Sequence, residues 1–268
     1  MSTNLPLCAF AFDSEQVTAV VTTRHGGVSS GVYGSLNLGG HVGDDPAAVA
    51  ENRRRLAAAL GVGRLTIADQ RHTDRVAIVT PALAGRGHDG VADSAAAFPA
   101  TDAMITAVPG AALAILVADC APVVLFDPVR RVVGIAHSGR AGTLSGVVPK
   151  TVGAMAAAFG TVPGDLLIGI GPAIGAASYE IGPAEAAEVT AAFPSSVTGT
   201  RLLTPSSRPG HALFDLTGAI RDQLRAAGVP ADSVHDLAID TRTSTADFFS
   251  DRAARPCGRF AAVAALRA

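Results

Sequence analysis

The spacing of apolar and polar positions predicts strands and helices mixed along one chain. The β-branched run Val17 to Thr23 reads as a strand that feeds a turn at Arg24 to Gly27. The twenty residues from Gly26 to Asp45 carry seven glycines, too many for regular structure and suited to close backbone approach. Asp45 and Pro46 occupy the N-cap and first helical positions of a helix that stops at Gly61. Leu65 to Ile78 is strand-like, with His72 beside it, and Pro81 to Pro99 lacks periodicity and reads as an exposed loop.

Two dense apolar segments follow, Ala111 to Ala118 and Val123 to Phe126, read as buried strands joined by a tight turn. A strand over Arg131 to Ala136 ends at His137, and a helix is expected to begin near Pro149. The remainder reads as a strand Asp165 to Ile170, a helix Pro183 to Phe193, a loop Ser195 to Gly210, a helix Leu213 to Ala227, and strands Val234 to Ile239 and Arg259 to Leu266. Without regular βαβ alternation, a repeat or a linker, the pattern predicts an α+β fold, with residues 1–268 forming a single domain.

Composition narrows the function classes. A hydrophobic share of 49% against 16% charged residues excludes wholesale disorder. A net charge of -2 argues against phosphate neutralisation along a nucleic acid. The longest apolar stretch is broken by Asp119, Cys120 and Pro122, short of the roughly 18 residues a membrane span needs. Three cysteines, at 8, 120 and 257, make no disulfide framework or CxxC site, and the first residues lack a basic n-region and an apolar h-region. A cytoplasmic protein is expected, with no nucleic-acid or membrane partner; the oligomeric state stays open.

His72, Cys120 and His137 sit at strand or loop junctions and form a His/Cys/His set, the donor types of a zinc site with an open position. The spacings do not match a local zinc finger, so the fold must bring the three together. Cys120 with His137 also suggests a thiolate nucleophile and its base, although Asp119, next to Cys120 on an extended chain, points the wrong way to orient that histidine. Gly139, Arg140 and Gly142 ahead of a helix offer an anion site. The other five of the seven histidines read as structural or solvated, and neither GxGxxG nor GxxxxGK[ST] is present.

Taken in order, TTRHGGVSSGVYGSLNLGGHVGDDPAAVAENRRRL, QRHTDRV, ADCAPVVLFDP, GIAHSGRAG, GPAIGAASYEIG and FFSDR…GRFAA resemble the YfiH-like proteins. That family carries the labels laccase-domain or multicopper polyphenol oxidase, peptidoglycan editing factor and purine nucleoside phosphorylase. The resemblance implies a layered sandwich, two sheets flanked by helices, with a metal in a surface cleft. Its Q-x-H, A-D-C and A-H motifs fall on His72, Cys120 and His137, and its Arg and Asn fall on Arg24 and Asn37, which are expected to line the cleft. Where the family often has H-A-G-W-R-G, this chain has His137-Ser138-Gly139-Arg140-Ala141-Gly142, without the aromatic.

Seven scattered histidines without an HxH pair cannot build blue and trinuclear copper centres, so zinc is expected in preference to copper. The leading expectation is purine nucleoside phosphorolysis, with adenosine deamination as an added activity. Here His72, Cys120 and His137 hold the metal and act in catalysis, and Arg24, Asn37 and Arg140 contact substrate or phosphate. The alternative is an amide hydrolase of peptidoglycan precursors using Cys120 and His137; a zinc-stabilised scaffold is the non-enzymatic reading.

Overall fold

Strand residues 112–117 are buried at every position, and their side chains alternate between two cores. Leu113, Ile115 and Val117 enter one; Ala112, Ala114 and Leu116 enter another. A strand buried on both faces reads as a continuous apolar run because each face packs against a separate layer. The computed structural model describes residues 5–12, 15–194 and 202–268.

The chain opens with β1 (Leu7–Ala9), β2 (Val17–Thr22), α1 (Pro46–Ala59), β3 (Leu65–Ile67), β4 (Val76–Ile78) and α2 (Val91–Ala97). Four strands follow: β5 (Ala103–Thr106), β6 (Ala112–Val117), β7 (Ala121–Asp127) and β8 (Val132–Ser138). Next come α3 (Arg140–Ser145), α4 (Val147–Phe159), β9 (Leu167–Ile170), β10 (Glu180–Ile181) and α5 (Pro183–Ala192). The chain closes with β11 (Leu203–Pro205), β12 (Ala212–Phe214), α6 (Leu216–Ala226), β13 (Val234–Asp236) and β14 (Phe260–Leu266).

One mixed sheet has the order β1-β2-β14-β6-β3 and the other β13-β9-β7-β8-β5-β4; β10, β12 and β11 form a small antiparallel ribbon. Between the large sheets lie Met104, Ile115, Phe126, Ile135 and Phe260. Leu36, Leu38 and Leu56 cover the outer face of the first sheet, bringing the glycine-rich segment and α1 onto it. Val148, Val152 and Met155 of α4, with Ile220 and Leu224 of α6, cover the second. The result is the expected layered sandwich, mixed sheets flanked by helices, in one domain.

Several expectations are corrected. β6 and β7 are not one hairpin: they belong to different sheets, so Ala118 to Cys120 cross between layers. Leu65 to Ile78 likewise contains two short strands in different sheets, with His72 on the crossing between them. The 81–99 stretch contains α2, and α4 starts at Val147, behind the short α3, because Gly146 in a left-handed conformation separates the two. Ala212 to Phe214 is strand rather than helix, and Leu203 to Pro205 pairs with it. The first part of the expected loop, 195–201, lies outside the described residues. No helix among the described residues is long and apolar enough to cross a membrane.

Phe126 is fully buried between the sheets. Truncation by Phe126→Ala is expected to cost about 3–5 kcal/mol in chemical denaturation. A loss below about 1 kcal/mol contradicts this packing.

Candidate metal centre and cavity

Three connections meet at one end of the sandwich. The 68–75 loop runs from β3 in one sheet to β4 in the other, and residues 118–120 make the same crossing from β6 to β7. β8 ends alongside, with Pro122 opposite His137 and Ala121 opposite Ser138. His72, Cys120 and His137 therefore converge, and their donor atoms all lie within 4.8 Å of one another. Cys120 Sγ is 3.8 Å from His72 Nε2, and the two imidazole rings stand edge to face with centroids 4.7 Å apart. Among the described residues this is the one such group of three or more His, Cys, Asp or Glu donors.

Local backbone geometry explains the convergence. His72 (φ 60) and Asp119 (φ 89) lie in the left-handed region, which bends each crossing sharply. Asp119 is fixed by Thr241 Oγ1, which donates to it at 2.7 Å, and by the Arg252 backbone N–H at 2.6 Å. At Gly139 a Cβ would lie 2.6 Å from Cys120 Sγ and 3.1 Å from His72 Cδ2. The absent side chain is the space that the cluster occupies.

Asp102, the last residue before β5, holds the cluster from behind. It is fully buried, and its Oδ1 is 2.8 Å from His137 Nδ1. The same carboxylate accepts the backbone N–H groups of Arg71, His72 and Thr73 at 3.0, 3.0 and 2.7 Å and the Thr73 hydroxyl at 2.9 Å. One acid thus fixes the histidine ring on β8 and the loop that carries the other histidine. With Nδ1 bound to Asp102, His137 offers Nε2 to a metal, the outer-shell arrangement common to histidine ligands. As expected, Asp119 does not orient His137; that role falls to Asp102, which no sequence motif marks.

Charges in this cluster reinforce one another. Burial pushes the Cys120 thiol up, yet the charge of His137 and hydrogen bonds from His137 and His72 outweigh it and bring the thiol down to about 6. Burial disfavours the His137 cation, but the Cys120 thiolate and the Asp102 carboxylate carry it up to about 9. Asp102, despite burial, is held down to about 2 by His137 and by the N–H groups of Thr73 and Arg71. A thiolate at neutral pH is the form that binds a metal or attacks an electrophile.

The cluster forms part of the wall of a cavity of about 390 Å³, which Tyr179 and Arg252 also line. The Arg252 guanidinium lies over the Tyr179 ring, 5.2 Å from its centroid. His41, expected to be a bystander, lines the cavity, as do Arg53, Arg71 and Arg259. Arg24, Asn37 and Arg140 are not among the lining residues. The Arg24 side chain donates to the carbonyls of Gly34 and Thr245 and covers the Phe249 ring at 4.4 Å, stapling the glycine-rich segment to a neighbouring loop. Asn37 is fully buried; its Oδ1 accepts the Gly39 and Arg259 backbone N–H groups and its Nδ2 donates to Asp44. Arg140 is paired with Glu188 of α5.

Replacement of Asp102 by Asn puts an amide N–H against backbone donors and removes the charge facing His137. Asp102→Asn is expected to weaken metal binding about 10- to 100-fold, measured by competition with a chromophoric chelator. In metal-free protein, alkylation by iodoacetamide should rise through a midpoint of about 6 at Cys120. Cys8 and Cys257, pushed by burial above the ordinary 9.0, should stay unreactive at neutral pH, as peptide mapping will show.

Comparison with known proteins agrees with this architecture. YlmD from Geobacillus stearothermophilus has a crystal structure that superposes with a TM-score of 0.88 at 32% identity, covering 97% of this chain and 100% of that one. The Bacillus licheniformis hypothetical protein YfiH gives a TM-score of 0.88 at 31% identity over 96% of this chain and 99% of that one. A Streptomyces griseus protein named purine nucleoside phosphorylase is 43% identical over 90% of both chains. One of the same name from Mycobacterium tuberculosis is 39% identical over 93% of this chain and 92% of its own. Residues 18–267 match the family model described as multi-copper polyphenol oxidoreductase laccase, and the chain belongs to that family.

Proposed function

We propose that this protein is a zinc-dependent purine nucleoside phosphorylase that converts adenosine or inosine to the base and ribose 1-phosphate, with His72, Cys120 and His137 as metal ligands. The observation that carries the reading is a thiolate and two imidazoles converging on a cavity of about 390 Å³, in a chain whose relatives bear that enzyme's name. Zinc fits the donor set. Bonds of about 2.3 Å to sulfur and about 2.0–2.1 Å to nitrogen in a tetrahedron separate two donors by about 3.5 Å. Cys120 Sγ and His72 Nε2 are 3.8 Å apart. Three protein donors leave a fourth position open, as catalytic zinc sites do.

When bound, zinc would supply a Lewis acid that orients the phosphate or stabilises the negative charge developing on the departing purine. The chain's own groups do the rest. Asp102 holds the proton on His137 Nδ1 and keeps Nε2 turned to the centre. Tyr179, backed by the Arg252 guanidinium, gives the cavity a flat ring wall suited to a purine. A phosphate oxygen bonds to C1′ of the ribose while the N-glycosidic bond breaks; its electron pair leaves with the base, which takes up a proton.

The Asp102–His137–Cys120 line and the depressed thiol favour a second reading, an amide hydrolase of peptidoglycan precursors with Cys120 as nucleophile. Metal removal separates the two, since chelation abolishes the first activity and spares the second.

Metal-loaded protein incubated with inosine should release hypoxanthine and ribose 1-phosphate only when phosphate is present, and Cys120→Ala should lower kcat/KM by at least about 100-fold, or about 2.7 kcal/mol. No phosphate-dependent release from the metal-loaded protein overturns the proposal. With adenosine, phosphorolysis yields adenine, whereas deamination yields inosine and ammonia without need of phosphate.

A further inference from the structure

The cavity carries more positive charge than its own acids balance: five arginines line it against three aspartates. Arg53 of α1 is the least compensated. It is 3% exposed, and its Nε and Nη1 donate to the carbonyls of Leu38, Gly87 and His88 at 2.8–3.0 Å. Among the described residues no carboxylate lies within ion-pair distance of it. Burial brings its pKa down to about 10 against the charge of Asp89, which raises it, so the guanidinium remains charged at neutral pH. A buried cation whose hydrogen bonds all go to neutral carbonyls gains strongly from an anion.

Arg71 and Arg259 line the same cavity. The pKa of His41 is pushed down first by burial and then by the charges of Arg259, Arg53 and Arg71, with Asp69 opposing. Arg71 spends its Nε on Asp69 at 3.0 Å. Arg259 reaches Asp251 at 3.4 Å, and its stem passes through the space that a Gly39 side chain would fill, where a Cβ would sit 2.8 Å from Arg259 Cγ. Asn37, by accepting the Arg259 backbone N–H, sets the position of this arm. Arg71 adjoins the metal-ligand candidate His72, so the cationic wall borders the metal centre.

We infer that Arg53, Arg71 and Arg259, with His41, form the subsite for inorganic phosphate in the cavity, which Arg24 and Arg140 do not line. Its role as co-substrate rests on the phosphorylase reading; the binding itself does not. Arginine forks match the tetrahedral oxyanion, and a neutral His41 adds a donor without a further charge to desolvate. A phosphoryl group could also arrive as the 5′-phosphate of a nucleotide, and inosine 5′-monophosphate tests that source.

Isothermal titration of the metal-loaded protein with inorganic phosphate should give a Kd in the millimolar range or tighter. Arg71→Gln should weaken it at least tenfold with metal content unchanged, and Arg71→Lys, which keeps the charge but not the fork, should restore part of the loss. In turnover, Arg71→Gln should raise KM for phosphate at least tenfold and leave KM for inosine within twofold. Arg53→Gln, provided its unfolding transition matches the wild type, should behave likewise. Wild-type protein that binds no phosphate, or Arg71→Gln that binds it as tightly as the wild type, overturns the subsite. So does binding of inosine 5′-monophosphate that depends on Arg71 while inorganic phosphate does not bind. Arginine-dependent phosphate binding without inosine phosphorolysis leaves the subsite standing and refutes the phosphorylase reading instead.

Discussion

The buried carboxylate of Asp102 is the interaction on which the centre depends. It accepts from three consecutive backbone N–H groups, a hydroxyl and an imidazole, which accounts for both oxygens and offsets the cost of burying a charge. Removal of that charge would free the loop bearing His72 and the ring of His137 together. Two metal-ligand candidates far apart in sequence are thus positioned by one side chain, and the thiolate of Cys120 completes a set of alternating charges.

The layered fold makes this possible. Because the chain passes twice from one sheet to the other at the same end of the sandwich, two crossings and the end of β8 deliver three donors to one place. The donors stand on turns anchored at both sides by buried strands, a rigid support for a precise geometry. Left-handed backbone at His72 and Asp119 is the local strain that such sharp crossings require, and side-chain bonds to Asp119 hold one of them in place.

Much of this was legible in the residues. Soft donors are few in a chain with three cysteines and seven histidines, so those at strand ends stood out on chemical grounds. The strands of the core were readable because each is a dense apolar run. That same density hid the sheet switch: β6 and β7 are apolar on both faces, and a crossing between layers looks like a turn within one. Asp102 is not legible in the sequence because its partners lie about thirty residues away in both directions, and an aspartate near Pro99 resembles an ordinary loop acid. Arg24 and Asn37 were expected in the cleft from family resemblance alone. Their many bonds to backbone carbonyls and N–H groups instead make them staples of the glycine-rich segment. His41 and Arg53 lie inside the glycine-rich segment that carries the family resemblance, but only the folded chain places them on the cavity wall with Arg71 and Arg259.

The most direct test of the centre is anomalous diffraction at the zinc edge from crystals of the metal-loaded protein. A single peak is expected between His72 Nε2, Cys120 Sγ and His137 Nε2, with sulfur at about 2.3 Å and each nitrogen at about 2.0–2.1 Å. His137 Nδ1 should remain on Asp102. A peak elsewhere, or coordination through His137 Nδ1 with Asp102 released, would contradict the arrangement described.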